Sequence, residues 1–114
     1  MASTTTVSAE SFEFRTRLAP GMGNAYELFH RAIPAELHAV MRDCGVVAWQ
    51  IFLRGDVVTH RVVADRRALT EKLDPHPVNR AWQRQVAPYL LAGEHPAAPD
   101  HPGALIWEFS WPTR

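Results

Sequence analysis

Tyr26 and His30 stand four residues apart in a stretch that reads as helical, so their side chains share one helix face about a turn from each other. An imidazole gives or takes a proton near neutral pH, and a phenol can orient it or a substrate hydroxyl. The pair therefore suits acid/base transfer at a small polar ligand. The face continues through Ile33 and Leu37, which turns His30 toward the core side of the helix. The same spacing also fits a packed histidine bonded to the backbone. His60 is a second imidazole, with Val58 and Val62 as same-face neighbours in a strand. It lines a cavity if that face is interior and is a surface residue if it is not. Trp82 and Trp49 offer broad walls of the kind that pack on the apolar side of a sugar ring or on an aromatic ligand, although tryptophans also serve ordinary cores. Arg15, next but one to Arg17, could clamp an anionic group or lie solvated on an exposed strand.

The elements that must hold these residues follow from periodicity. Residues 1–10 read as a disordered tail, and 11–114 as a single domain. From Phe12 to Leu18 the chain alternates, with Phe12, Phe14, Thr16 and Leu18 on one side and Glu13, Arg15 and Arg17 on the other, which predicts a half-buried strand. Asn24 is a candidate cap for a helix running to about Cys44, where Gly45 supplies a left-handed stop. Pro34 lies inside that helix and predicts a kink or break near Ile33. Val46 to Leu53 and Val57 to Val63 read as antiparallel strands joined through Arg54-Gly55-Asp56. Asp65 can cap a short helix through Lys72, and a further helix is expected from about Val78 to Leu91, fraying at Pro88. After a proline-rich loop, Leu105, Trp107, Phe109 and Trp111 alternate along a last strand.

The order β-α-β-β-α-β is the split βαβ pattern: an α+β, ferredoxin-like fold whose antiparallel sheet carries helices on one face. The other face then needs a cover, and a second copy of so small a chain would supply it. A homodimeric α/β-barrel is the expectation, with Trp107, Phe109 and Trp111 as candidate contacts.

Composition bounds the function. At 114 residues, 46% hydrophobic and 21% charged, the chain is one packed domain rather than a disordered one. Twelve basic residues balance twelve acidic ones, which gives no footprint for nucleic acid or an anionic membrane. No apolar run reaches the ~18 to 20 residues of a bilayer span, and no signal peptide is evident, so a cytoplasmic protein is expected. Cys44 stands alone and reads as a small buried hydrophobe near a helix end. The six histidines form no HxH or HExxH, and His76, His95 and His101 each precede a proline; neither a metal nor any other cofactor is expected.

Leu18-Ala19-Pro20-Gly21, Tyr26, His30, Glu36-Leu37, Gly45, the strand pair, Pro77-Val78, Trp82 and Trp107-Glu108-Phe109 together resemble the L-rhamnose mutarotase family over roughly Phe12 to Trp111. The Pro-Gly followed by Tyr-x-x-x-His is the most specific part. The resemblance implies a small dimeric α/β-barrel that interconverts sugar anomers without cofactor or metal, with His30 as acid/base and Tyr26 orienting it or the sugar. Three positions depart from the family: Pro34-Ala35 replaces Trp-Pro, Trp82-Gln83 replaces Trp-Trp, and Val62 or Val63 stands where an acidic residue is usual. Each removes a polar or stacking contact, so two other readings stand beside the mutarotase. One is a cofactor-free cyclase or isomerase for an apolar, polyketide-like metabolite, using His30 or His60. The other is a non-catalytic small-ligand binding module.

Overall fold

The computed structural model describes residues 9–110. Four strands, β1 (Ala9–Arg17), β2 (Val46–Arg54), β3 (Val57–Asp65) and β4 (Ala104–Ser110), form one antiparallel sheet in the order β1-β3-β2-β4. Strand β1 starts at Ala9, which pairs with Asp65, so residues 9 and 10 belong to the sheet rather than to a tail. The rest of that tail lies outside the described residues.

Register decides which side chains meet. Phe14 sits opposite His60, His60 opposite Ile51, and Ile51 opposite Trp107, giving one row across all four strands. Phe12, Val62, Trp49 and Phe109 make the next row. Val58, His60, Val62 and Ala64 are all buried, so the side of β3 that carries His60 is interior. Helices cover that side.

The first helical stretch breaks as proline requires. Helix α1 (Gly23–Arg31) and helix α2 (Ala35–Asp43) are separated by Ala32–Pro34, and Pro34 caps α2 in an extended conformation. The start differs from the sequence expectation: Asn24 lies inside α1, and Met22 is the cap. The physical cause is a turn in which the Met22 amide bonds the Ala19 carbonyl, leaving the Met22 carbonyl to accept from Tyr26, so the helix begins ahead of Asn24. Gly45, at φ +92°, ends α2 as expected.

Asp65 caps helix α3 (Arg66–Ala68) through the Ala68 amide at 3.1 Å, and a wider turn continues to Leu73. Helix α4 (Pro77–Val86) opens with the His76 ring accepting from the Val78 amide at 3.1 Å. It ends at Val86, earlier than Leu91, because Ala87–Tyr89 tighten into a 3₁₀ turn around Pro88, which has no amide to give. The following residues are pinned to β1 by bonds between Ala19 and Tyr89 and between Leu91 and Arg17.

Strand β4 corrects two expectations. A bulge opposite Ile51 and Phe52 puts Leu105 on the uncovered face, 47% exposed, while Trp107 stays under the helices. Trp107 and Phe109 pack against His38, with centroids 6.0 and 5.5 Å away, so these two are not free for a second copy. Trp111 lies outside the described residues. The uncovered face carries Glu13, Arg15, Gln50, Phe52, Arg61 and Glu108, with Arg61 bonding Glu13 at 2.6 Å and standing over the Phe52 ring at 4.9 Å.

Gly103, at φ +92°, lies against the Leu53 carbonyl where β4 begins, whereas Gly93, at φ +79°, has open space around it. Gly93→Ala should cost only the left-handed backbone penalty of about 1–2 kcal/mol. Gly103→Ala adds a backbone clash and should cost on the order of 3 kcal/mol or more, read as the difference between the two urea unfolding curves.

Candidate active site

The helix-covered face brings five of the sequence candidates together. In α1, His30 Nδ1 lies 3.0 Å from the Tyr26 carbonyl oxygen. A carbonyl only accepts, so Nδ1 carries the proton and Nε2 presents a lone pair. The Tyr26 ring is 4.2 Å from the His30 ring, and the Trp82 ring meets it edge-on at 5.3 Å. Phe29 stacks on Trp82 at 4.5 Å, which fixes the tryptophan from behind.

The second imidazole is set in the opposite sense. Trp49 Nε1 donates to His60 Nδ1 at 3.0 Å. An indole only donates, so neutral His60 carries its proton on Nε2. Phe14 stacks on the His60 ring at 4.4 Å and 5°, as their cross-strand pairing requires.

Burial sets the protonation states. It pushes His60 down to about 3, with neighbouring His30 adding to the effect. His30 is also lowered by burial, partly opposed by its bond to the Tyr26 carbonyl. The Tyr26 phenol is raised by burial and stays protonated. At neutral pH the three groups are uncharged.

Beside them opens a cleft of about 460 Å³, within the range of small-molecule sites. Phe14, Tyr26, Trp49, His60 and Trp82 form its aromatic side, and Asp74, Asn79 and Gln83 its polar side. A smaller recess of about 50 Å³, walled by Leu37, Met41, Leu73 and Trp107, shares Trp49, Asn79, Trp82 and Gln83 with it. His30 is one layer deeper, 3% exposed, behind Tyr26 and Trp82.

Arg15 is not in this cleft. Its cross-strand partner is Thr59, on the uncovered face, and its guanidinium bonds Glu13. Alternation along β1 puts Arg15 opposite Phe14 and so away from His60. Gln83, named from the sequence as a position where a family tryptophan is lost, lines the cleft as a polar residue, whereas Phe14, Asn79 and Asp74 were not singled out by sequence reasoning. Asn79 had a legible signal, because Asn79, Trp82 and Val86 fall on one buried stripe of α4, and a polar residue in such a stripe marks a cavity or a buried bond. Asp74 carries no such signal. Among the described residues no three His, Cys, Asp or Glu side chains converge as metal ligands, and no helix is long and apolar enough to cross a membrane.

An antiparallel sheet under helices defines an α+β fold of the ferredoxin-like kind, and it sets two neutral imidazoles of opposite polarity at and behind an aromatic and amide-lined cleft. Residues 11–108 match the family model described as L-rhamnose mutarotase. An L-rhamnose mutarotase of Verminephrobacter eiseniae is 35% identical over 91 residues, covering 76% of this chain and 84% of that protein. One of Sinorhizobium medicae is 32% identical over 80 residues, covering 68% and 77%. No solved structure matches the chain significantly. The chain belongs to the L-rhamnose mutarotase family and is an isomerase of the mutarotase kind.

Both buried imidazoles bind protons less readily in the folded chain than in the unfolded one, whose value is near the ordinary imidazole level of about 6.5. Their contribution to stability is therefore full above about pH 6.5 and is lost as the pH falls toward the folded-state values, about 3 for His60. His60→Leu should flatten the decline of the urea midpoint between pH 6.5 and pH 4 relative to wild type; an unchanged decline would show that His60 is not held neutral.

Proposed function

We propose that this protein interconverts the anomers of an aldohexose or deoxyaldohexose, L-rhamnose being the first candidate because the two relatives carry that name. One observation carries the assignment of the base. His30 gives Nδ1 to a carbonyl of its own helix, and among the described residues no hydrogen bond engages Nε2. A neutral imidazole with a free lone pair one layer behind a sugar-sized cleft can take the proton of the anomeric hydroxyl once the C1 end of the sugar enters between Tyr26 and Trp82. As it does, the O1 electrons form the C1 carbonyl, the C1–O5 bond breaks with its pair going to O5, and the imidazolium returns the proton to O5. Rotation about C1–C2 and the reverse steps close the ring on the other face of C1. Proton transfer by a placed group contributes ~10²–10⁴-fold, and spontaneous ring opening is not very slow, so one such group is sufficient.

Tyr26, protonated and 4.2 Å from His30 between ring centroids, orients the imidazole or a sugar hydroxyl. Trp82 and Trp49 take the apolar face of the ring, and Asn79, Gln83 and Asp74 its hydroxyls. That polar side favours a sugar over the apolar metabolite of the cyclase reading. It also supplies hydrogen-bonding groups that Pro34, Ala35 and Val63 do not have.

The substrate would be turned over by a homodimer. Exposed Leu105 and half-buried Phe52 and Val63 lie on the uncovered face of the sheet, where a second copy would meet the first. The cytoplasm is the proposed location, since the one thiol, Cys44, is free and buried.

Saturation-transfer NMR of anomeric exchange with L-rhamnose and a panel of aldoses tests the activity. Wild type should accelerate exchange, and His30→Ala should lose about 10²-fold or more of it; no acceleration with any sugar would sink the reading. Sedimentation should show a dimer that Leu105→Glu weakens, and a wild-type monomer at micromolar concentration would remove the second copy.

A further inference from the structure

A base acting at O1 leaves the ring oxygen, at the other end of the opening, without assistance. As C1–O5 opens, negative charge grows on O5 before its proton arrives, and a donor placed there would stabilise the transition state more than the closed sugar. His60 has the required properties, and a reason for each can be named. Its Nδ1 is occupied by the Trp49 indole N–H at 3.0 Å, which leaves the proton on Nε2. Its plane is held by Phe14, stacked at 4.4 Å, and by Trp49, perpendicular at 83° with centroids 6.0 Å apart. Among the described residues no group accepts a hydrogen bond from Nε2, and His60 lines the cleft. This N–H is open to the cleft rather than sealed in the core, so an oxygen of a ligand bound there can accept from it.

We propose that Trp49 and His60 form a second functional unit of the site: a tautomer-locked imidazole whose Nε2–H bonds the ring oxygen O5 of the sugar as C1–O5 opens. This rests on the mutarotase reading above and adds a residue to it. His60 keeps its proton throughout. The proton that leaves O1 travels to His30 and from there to O5, and the electron pair of C1–O5 ends on O5. Burial, which keeps the His60 ring uncharged, makes it unsuitable as a proton source and suitable as a fixed donor. Trp49 is a positioning residue in this scheme, because its bond to Nδ1 decides where the His60 proton sits.

Long-range ¹H–¹⁵N NMR on the full wild-type chain should show His60 protonated on Nε2 alone from pH 5 to 8, and Trp49→Phe should yield a mixture of tautomers. In the anomeric-exchange assay, His60→Leu should lower kcat about 10²-fold with KM within about threefold, the scale seen when one preorganised donor to a developing oxyanion is removed. His60→Gln, whose amide N–H can stand near the Nε2 position, should recover about tenfold of that loss, and Trp49→Phe should lose about tenfold. A His60 protonated on Nδ1 in wild type overturns the proposal, as do equal losses in His60→Leu and His60→Gln or a loss confined to KM. A wild type that exchanges no aldose fails the mutarotase reading itself, which these variant comparisons do not.

Discussion

The hydrogen bond from the Trp49 indole to His60 Nδ1, 3.0 Å long, ties β2 to β3 on the face the helices cover. It joins residues that are diagonal neighbours in the ladder: Trp49 pairs with Val62, while His60 pairs with Ile51. A one-residue slip of either strand would send one ring to the opposite face of the sheet and break it. The bond also removes a choice. A neutral histidine has two tautomers, and an indole can only donate, so this contact alone determines which ring nitrogen carries the N–H that faces away from Trp49. Phe14 across β1 then has to be flat against the ring, which its register opposite His60 arranges. The chemistry of the site is thus written in strand pairing before any helix is considered.

The helices supply the complementary group. Because α1 stops at Arg31 and α2 restarts beyond Pro34, the two segments need not share an axis, and each can turn its own apolar stripe to the sheet. Tyr26 and His30 do so from α1, Leu37 and Met41 from α2. One unbroken helix would have carried His30 and His38 on a single rod; here His30 meets Trp82 while His38 packs on the aromatic pair of β4. The two histidines still meet at Trp107, which both rings approach, at 6.3 Å from His30 and 6.0 Å from His38 between centroids.

Much of this was legible in the residues. The four-residue step from Tyr26 to His30, the helix-breaking Pro34, the left-handed stop at Gly45 and the hairpin connection through Arg54-Gly55-Asp56 are local signals, and the structure realises each, with Arg54 joining the strand. The failures have a common cause, which is that they depend on register or on distant contacts. Arg15 and Phe14 alternate plainly, but alternation cannot say which side the helices will cover. Leu105 and Trp107 look equivalent until a bulge opposite Ile51 separates them. Asn24 has the chemistry of a cap, yet the turn through Gly21 delivers the chain into the helix before reaching it. The bond between Trp49 and His60 spans 11 residues of hairpin and became visible only with the pairing known.

A pair of uncharged imidazoles fits the reaction class of this family. In anomer exchange the substrate and product are neutral isomers of nearly equal energy, and the proton removed in one step returns in the next. A permanently charged acid or base would bind one transient state too well and slow its release, since only differential stabilisation of the transition state accelerates turnover. Burial that lowers both histidines toward the neutral form leaves neither ring permanently charged near neutral pH. The same burial excludes water from the imidazoles, so hydrogen bonds to them act in a medium of low polarity where their direction matters most. The destabilisation expected at low pH is the other face of this arrangement, because a fold that buries two imidazoles in their neutral form must resist their protonation.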